Sequence, residues 1–233
     1  MNISLFTFIV LGIFNIAVLF FFPLSSLADP QIIEVTLDDE EKEDEDEDFE
    51  EGNSIQICCT WNDALTDGIL TYFIDSEHSS KEQEEAVRNS IEKWDTEIKG
   101  LELEESNENN HDIKVGFQSS NDYDIAGRTL NTFNGYGFIN NIEITIFKGT
   151  KDFEFNDETI EQITEHEMGH ALGLGHANFA GNLMAAETNY GTETISDCEI
   201  KGVYEANSWY LEKASGDSTG PAYPENKSIR CDT

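Results

Sequence analysis

The sequence predicts one α+β domain. Three observations carry that prediction: a β-rich run followed by one long amphipathic helix, several strand-like runs after it, and then a second helix that carries a histidine pattern. Residues 54–233 are enough to bury a core of their own, and no internal repeat or second compositional block divides them.

Ahead of that domain, Leu5 to Phe22 is almost wholly apolar, and Pro23-Leu24-Ser25-Ser26-Leu27-Ala28 follows with small residues at Ser26 and Ala28. Residues 1–28 therefore read as a secretory signal cleaved after Ala28. The competing reading is a membrane anchor with the domain facing outside, because the run approaches the roughly 20 residues that span a bilayer. Either way the rest of the chain leaves the cytoplasm, and cleavage leaves no stable membrane association. From Asp38 to Glu51 only Lys42 and Phe49 interrupt the acidic residues. Like charges at that density repel and offer little apolar surface to bury, so residues 29–53 read as a disordered acidic linker. The formal net charge of −35 is not confined to this tract. Such a surface repels nucleic acid and anionic membrane, which excludes nucleic-acid binding, and it suits cationic partners.

Within the domain, Gly68 to Ile74 is rich in β-formers and reads as a strand. Ser80 with Gln83 makes a capping-box start, and Val87, Ile91, Trp94 and Ile98 recur at helical spacing until Gly100. These residues read as core. Ile113, Val115 and Phe117 alternate with more polar neighbours, the mark of a half-buried strand, and Gly127 to Phe133 and Ile142 to Phe147 are two further strands. The Gly- and Asn-rich region from Asn131 to Asn141 reads as a turn or loop between them, and Asn156 or Asp157 as the cap of the next helix. Four cysteines in an exported chain favour disulfides, with three pairings open. The neighbours Cys58 and Cys59 do not bond each other without strain, so the expected arrangement ties the start of the domain to its tail. No Cys-x-x-Cys spacing supports a zinc site built from these residues.

The chemistry concentrates in Glu165 to His176, Glu-His-Glu-Met-Gly-His-Ala-Leu-Gly-Leu-Gly-His. On a helix His166 and His170 lie one turn apart on one face, so both imidazoles reach a single metal ion. Glu167 then lies beside the metal without ligating it and is the candidate general base. Gly173 can take the positive φ that ends a helix and turns His176 back as a third ligand. Three histidines leave one coordination position open, the arrangement of a catalytic zinc. A buried helix with chance histidines accounts poorly for Gly173, His176 and Met184 all falling at set offsets.

The pattern resembles the metzincin zinc peptidases and is most similar to the matrixins. The residues that carry the likeness are His166, Glu167, His170, Gly173, His176 and Met184, the last in Asn182-Leu183-Met184-Ala185. Matrixins typically have serine after the third histidine, where this chain has Ala177. The resemblance spans about Gly68 to Tyr204. It implies a twisted, mostly parallel sheet packed on two long helices, with a third helix after the methionine turn, for which Ser196 to Tyr204 is the candidate. It also implies a secreted zinc-dependent endopeptidase. A zinc-bound water would attack the peptide carbonyl while Glu167 takes its proton, and Met184 would form an apolar floor under the histidines. The substrate would be a protein or peptide extended along the edge Gly127 to Phe133, with Ala185 to Tyr190 walling the pocket. A monomer is expected. His78 and His111 are too few for the second, structural zinc of many matrixins. Calcium through Asn121-Asp122-Tyr123-Asp124 has no clear motif behind it. The Pro-Arg-Cys-Gly switch of matrixin zymogens is absent, and Cys58 and Cys59 have no arginine beside them, so no thiol switch is expected. The rival from another class is an exported, non-catalytic acidic protein that binds zinc or another cation; Glu167 argues against it, since a structural site has no use for a base.

Overall fold

The computed structural model describes residues 52–119, 125–186, 194–211 and 220–232. The expected signal, the acidic run to Glu51, the candidate calcium loop Asn121–Asp124 and most of the Ala185–Tyr190 wall lie outside those residues. No helix among the described residues is long and apolar enough to cross a membrane.

Strand β1, Ser54–Ile57, leads into a short 3-10 turn, Asp63–Asp67, which Asn62 caps by accepting from the Ala64 amide at 2.7 Å. Strand β2, Ile69–Ile74, follows, and then helix α1, Lys81–Glu97. The predicted capping box is formed: the Ser80 hydroxyl accepts from the Gln83 amide and the Gln83 side chain accepts from the Ser80 amide. After β3, Glu102–Glu105, and β4, Ile113–Gln118, come β5, Gly127–Phe133, and β6, Ile139–Phe147. Helix α2, Asp157–Ala171, is capped by Asn156, whose side chain accepts from the Thr159 amide at 2.8 Å. Strand β7, Leu174–Ala177, helices α3, Asp197–Ala206, and α4, Ser208–Leu211, and strand β8, Ser228–Arg230, complete the described chain.

The main sheet runs in the order β3-β2-β4-β6-β5, parallel throughout except for β5, which is antiparallel to β6. That is the mixed, mostly parallel sheet expected, with α3 in the place of the third helix. Its centre is a ladder in which Ile113 faces Ile142, Val115 faces Ile144 and Phe117 faces Ile146. All six are buried, and burying such a side chain is worth roughly 1.5–3 kcal/mol, so the alternation holds the register: a one-residue slip would turn every one of them to the other face. Helix α2 is buried on nearly every side from Ile160 onward, as an interior helix must be. The indoles of two buried tryptophans hold it from both ends of the site: Trp94 donates to the Glu165 carbonyl at 3.0 Å and Trp61 to that of Ala171 at 2.9 Å. Ala171 lies in the last turn, where a carbonyl has no partner within its own helix.

Three expectations need correction. The region from Asn131 to Asn141 is mostly strand: β5 continues to Phe133, β6 begins at Ile139, and the turn is confined to the residues between. Asparagine is a poor strand former, but cross-strand pairing overrides that preference: Asn131 faces Ile142, Thr132 faces Asn141, and the Asn141 amide donates to the carbonyls of His111 and Asp112. The second correction concerns the disulfides. Cys58 bonds Cys59 and Cys198 bonds Cys231, with no free cysteine. The start and tail of the domain are joined instead by hydrogen bonds in a second, three-stranded antiparallel sheet ordered β7-β1-β8. With β8 docked on β1, Cys231 comes within 5.3 Å of Cys198 between Cα atoms, inside the span a disulfide bridges. Third, β1, β3, β7 and β8 were not expected. None exceeds four residues, too short for a periodic signal, and β3 buries Leu103 among three exposed glutamates at the sheet edge.

Candidate metal centre

His166 and His170 lie on the inward face of α2. Beyond His170 the helix closes with the Gly173 amide donating to the His170 carbonyl at 3.0 Å, and Gly173 itself sits at φ +102°, a conformation L side chains rarely adopt. A Cβ at this position would also collide with the Cys59 carbonyl oxygen and lie 2.8 Å from the Ala206 Cβ. The turn feeds β7, whose pairing with β1 presents His176 to the other two rings.

One ring nitrogen from each of the three histidines lies within 4.8 Å of the others, and among the described residues this is the only group of three or more side chains so arranged. The orientation of two rings is set by backbone carbonyls: Nδ1 of His166 lies 2.6 Å from Leu183 O, and Nδ1 of His170 lies 2.9 Å from Leu174 O. With Nδ1–H donating, Nε2 carries the lone pair, and the two Nε2 atoms face each other at 3.1 Å. Two lone pairs at that distance repel unless a proton or a cation lies between them. A proton is disfavoured: burial, and then the neighbouring His166 and His176, hold His170 well below its ordinary pKa, and burial lowers His166 as well. A cation fits. Two nitrogens on a tetrahedral zinc, at Zn–N of about 2.0–2.1 Å, stand about 3.3 Å apart.

Beneath the histidines, Met184 is fully buried against Gly169 of α2, and the turn that carries it serves the site through its backbone. Leu183 supplies the carbonyl on His166, the Met184 carbonyl accepts from the Ala177 amide at 2.7 Å, and the Asn182 side chain accepts from the Met184 amide at 2.9 Å. Ala177, at the position of the family's serine, belongs to β7 and leaves the histidine arrangement intact.

The two glutamates that flank His166 part company. Glu165 faces α1 and pairs with Lys93, which also binds Glu161 at 2.7 Å. Glu167 faces β5; it is 5% exposed, and its Oε2 accepts from the Thr129 hydroxyl at 2.6 Å. Burial pushes its pKa up to about 7, against the pull of the Thr129 hydrogen bond. A carboxyl tuned towards neutrality, one residue from a candidate metal ligand, is suited to accept and release a proton at working pH. The three histidines singled out in the sequence, His166, His170 and His176, come together, while Glu167, next to His166 in the chain, turns its carboxyl to Thr129 of β5. His78 and His111 do not join them: His78 is exposed beside Glu77, and the His111 ring lies against Phe73. Sequence reasoning missed Thr129 and Gly127 on β5, and the carbonyls of Leu174 and Leu183. A Gly-x-Thr on an edge strand carries no signal of what lies beneath it, and a carbonyl carries none at all.

The matrixin family model matches residues 60–205, a span that contains the whole site. A search of curated proteins finds no match to the chain.

Proposed function

We propose that this chain, which belongs to the matrixin family of metallopeptidases, is an endopeptidase that hydrolyses peptide bonds in proteins with zinc held by His166, His170 and His176. The observation that carries the reading is the convergence of three histidine nitrogens within 4.8 Å; the buried Glu167 adjoins the first of them in the chain. Zinc, when bound, supplies Lewis acidity that makes water nucleophilic at neutral pH and steadies negative charge on the scissile carbonyl oxygen. Glu167 takes the proton of the attacking water and delivers it to the leaving amine nitrogen. Leu183 and Leu174, through their carbonyls, hold two imidazoles in the tautomer that ligates through Nε2. The substrate chain lies extended against β5, which ends the sheet order and offers unpaired backbone groups to an incoming strand. Export is part of the proposal: two disulfides suit an oxidising compartment, and residues 1–28 read as a signal.

The test is Glu167→Gln, which keeps size and shape and removes the base. With the histidines untouched, zinc content and folding should match wild type, while turnover of a random peptide library, read by mass spectrometry with and without a zinc chelator, falls at least about 100-fold. A variant that cleaves at the wild-type rate overturns the role of Glu167. Wild-type protein that holds zinc and cleaves nothing favours the non-catalytic cation-binding protein.

A further inference from the structure

We propose that Thr129 and Gly127, two residues apart on strand β5, form the seat that positions the Glu167 carboxylate, with Thr129 supplying the hydrogen bond and Gly127 the space. The inference rests on the reading of Glu167 as general base.

A general base must hold one oxygen within about 2.6–3.2 Å of the proton it takes, yet a glutamate side chain turns freely about its terminal bond. Here the turn is blocked from two sides. The Thr129 hydroxyl donates its one proton to Oε2 at 2.6 Å, the nearer of two Glu167 oxygens in its reach, from a β-branched, rotamer-restricted side chain. With Oε2 engaged, Oε1 is the oxygen left to meet water. Oε1 is the atom that lies over Gly127. A Cβ built there would collide with it and would stand 2.7 Å from Cγ and 2.8 Å from Cδ of Glu167. Any other residue at 127 would therefore displace the carboxylate. Positions 127 and 129 share one face of the strand, which is why a single Gly-Arg-Thr supplies both the donor and the gap. Since β5 is also one of the two outermost strands, the seat of the base and the edge proposed for the substrate belong to one element.

Thr129→Val, close to isosteric, removes the hydroxyl; Thr129→Ala and Thr129→Ser form a second pair that differ only by it. A hydrogen bond to a charged group leads us to expect kcat to fall about 10-fold or more in Val and Ala, with KM within about 2-fold and one zinc retained per chain, and Ser to recover most of the rate. In a Glu167→Gln background Thr129→Val should cost nothing further, because the residue acts through the carboxylate. In chelator-stripped protein the two substitutions should be non-additive in thermal midpoint, a readout that needs no activity. Gly127→Ala should lower kcat in the same way. Wild-type kcat in Thr129→Val, equal losses in Ala and Ser, or the same fractional loss with and without Glu167 overturns the proposal alone. Failure of the parent reading looks different: wild-type protein without peptidase activity, or Glu167→Gln at full rate, removes the base and this role with it.

Discussion

At the scale of single residues, the metal site depends on conformations that one side chain can forbid. Gly173 adopts φ +102° with the Cys59 carbonyl against its Cα, and the turn it makes delivers His176. Gly173→Ala adds both backbone strain and a collision. We expect a stability loss of about 1–3 kcal/mol and a zinc affinity about 10–100-fold weaker, as for other losses of support around a metal ligand. Competition with a chromophoric chelator measures the second quantity, and wild-type affinity would show that His176 is placed by β7 alone. The buried Asn207 serves the same turn from the other side. Its amide donates to the carbonyls of Leu172 and Val203 while its oxygen accepts from the Trp61 amide at 3.2 Å. One side chain thus joins the end of α2, the end of α3 and the segment that follows β1.

Elements are held to one another by polar contacts at their edges as well as by the core. Arg88 of α1 meets Glu105 of the edge strand β3 in a two-pronged pair, Nε to Oε2 and Nη2 to Oε1, each 2.9 Å. The Arg88 hydrogen bond holds the Glu105 carboxyl below its ordinary 4.5. A folded pKa that is depressed means stability present above the unfolded value and lost as pH falls through the folded one. The pair is half exposed, so its worth at neutral pH stays below about 1 kcal/mol. Arg88→Met should therefore be slightly less stable than wild type at about pH 7, with the difference vanishing once Glu105 is protonated in both states, at about pH 2. Urea unfolding at the two pH values decides it, and an equal difference at both would mean that packing of the arginine stem, not charge, joins α1 to β3.

Over the whole molecule, two sheets divide the labour. The five-stranded sheet supplies the edge and the seat of Glu167, while the small β7-β1-β8 sheet closes the domain by bringing its first and last described strands together. The Cys198–Cys231 bond, across 33 residues, fastens β8 to the start of α3. By the chain-entropy account a loop of that size adds about 3–4 kcal/mol by restricting the unfolded chain. The double variant Cys198→Ser, Cys231→Ser should lose an amount of that order in denaturant unfolding. A loss under about 1 kcal/mol would show that the tail stays docked through its hydrogen bonds.

Several features were legible in the sequence because their signals are local. The His166 and His170 spacing spans one helical turn, Ser80 with Gln83 and Asn156 sit at the ends of the helices they cap, and Ile113, Val115 and Phe117 declare a strand by alternation alone. Gly173 was readable too, since the need for positive φ belongs to the residue itself. Tertiary structure alone decided whatever depends on two distant segments meeting. Thr129 reaches Glu167 across 38 positions, and nothing in either residue's neighbourhood marks the other. Cys231 finds Cys198 because β8 docks on β1, and strands of three or four residues have no periodicity to announce them. The carbonyls of Leu174 and Leu183 orient the histidines, and a carbonyl is common to every residue. Its use is set by where the fold points it, which no residue type encodes.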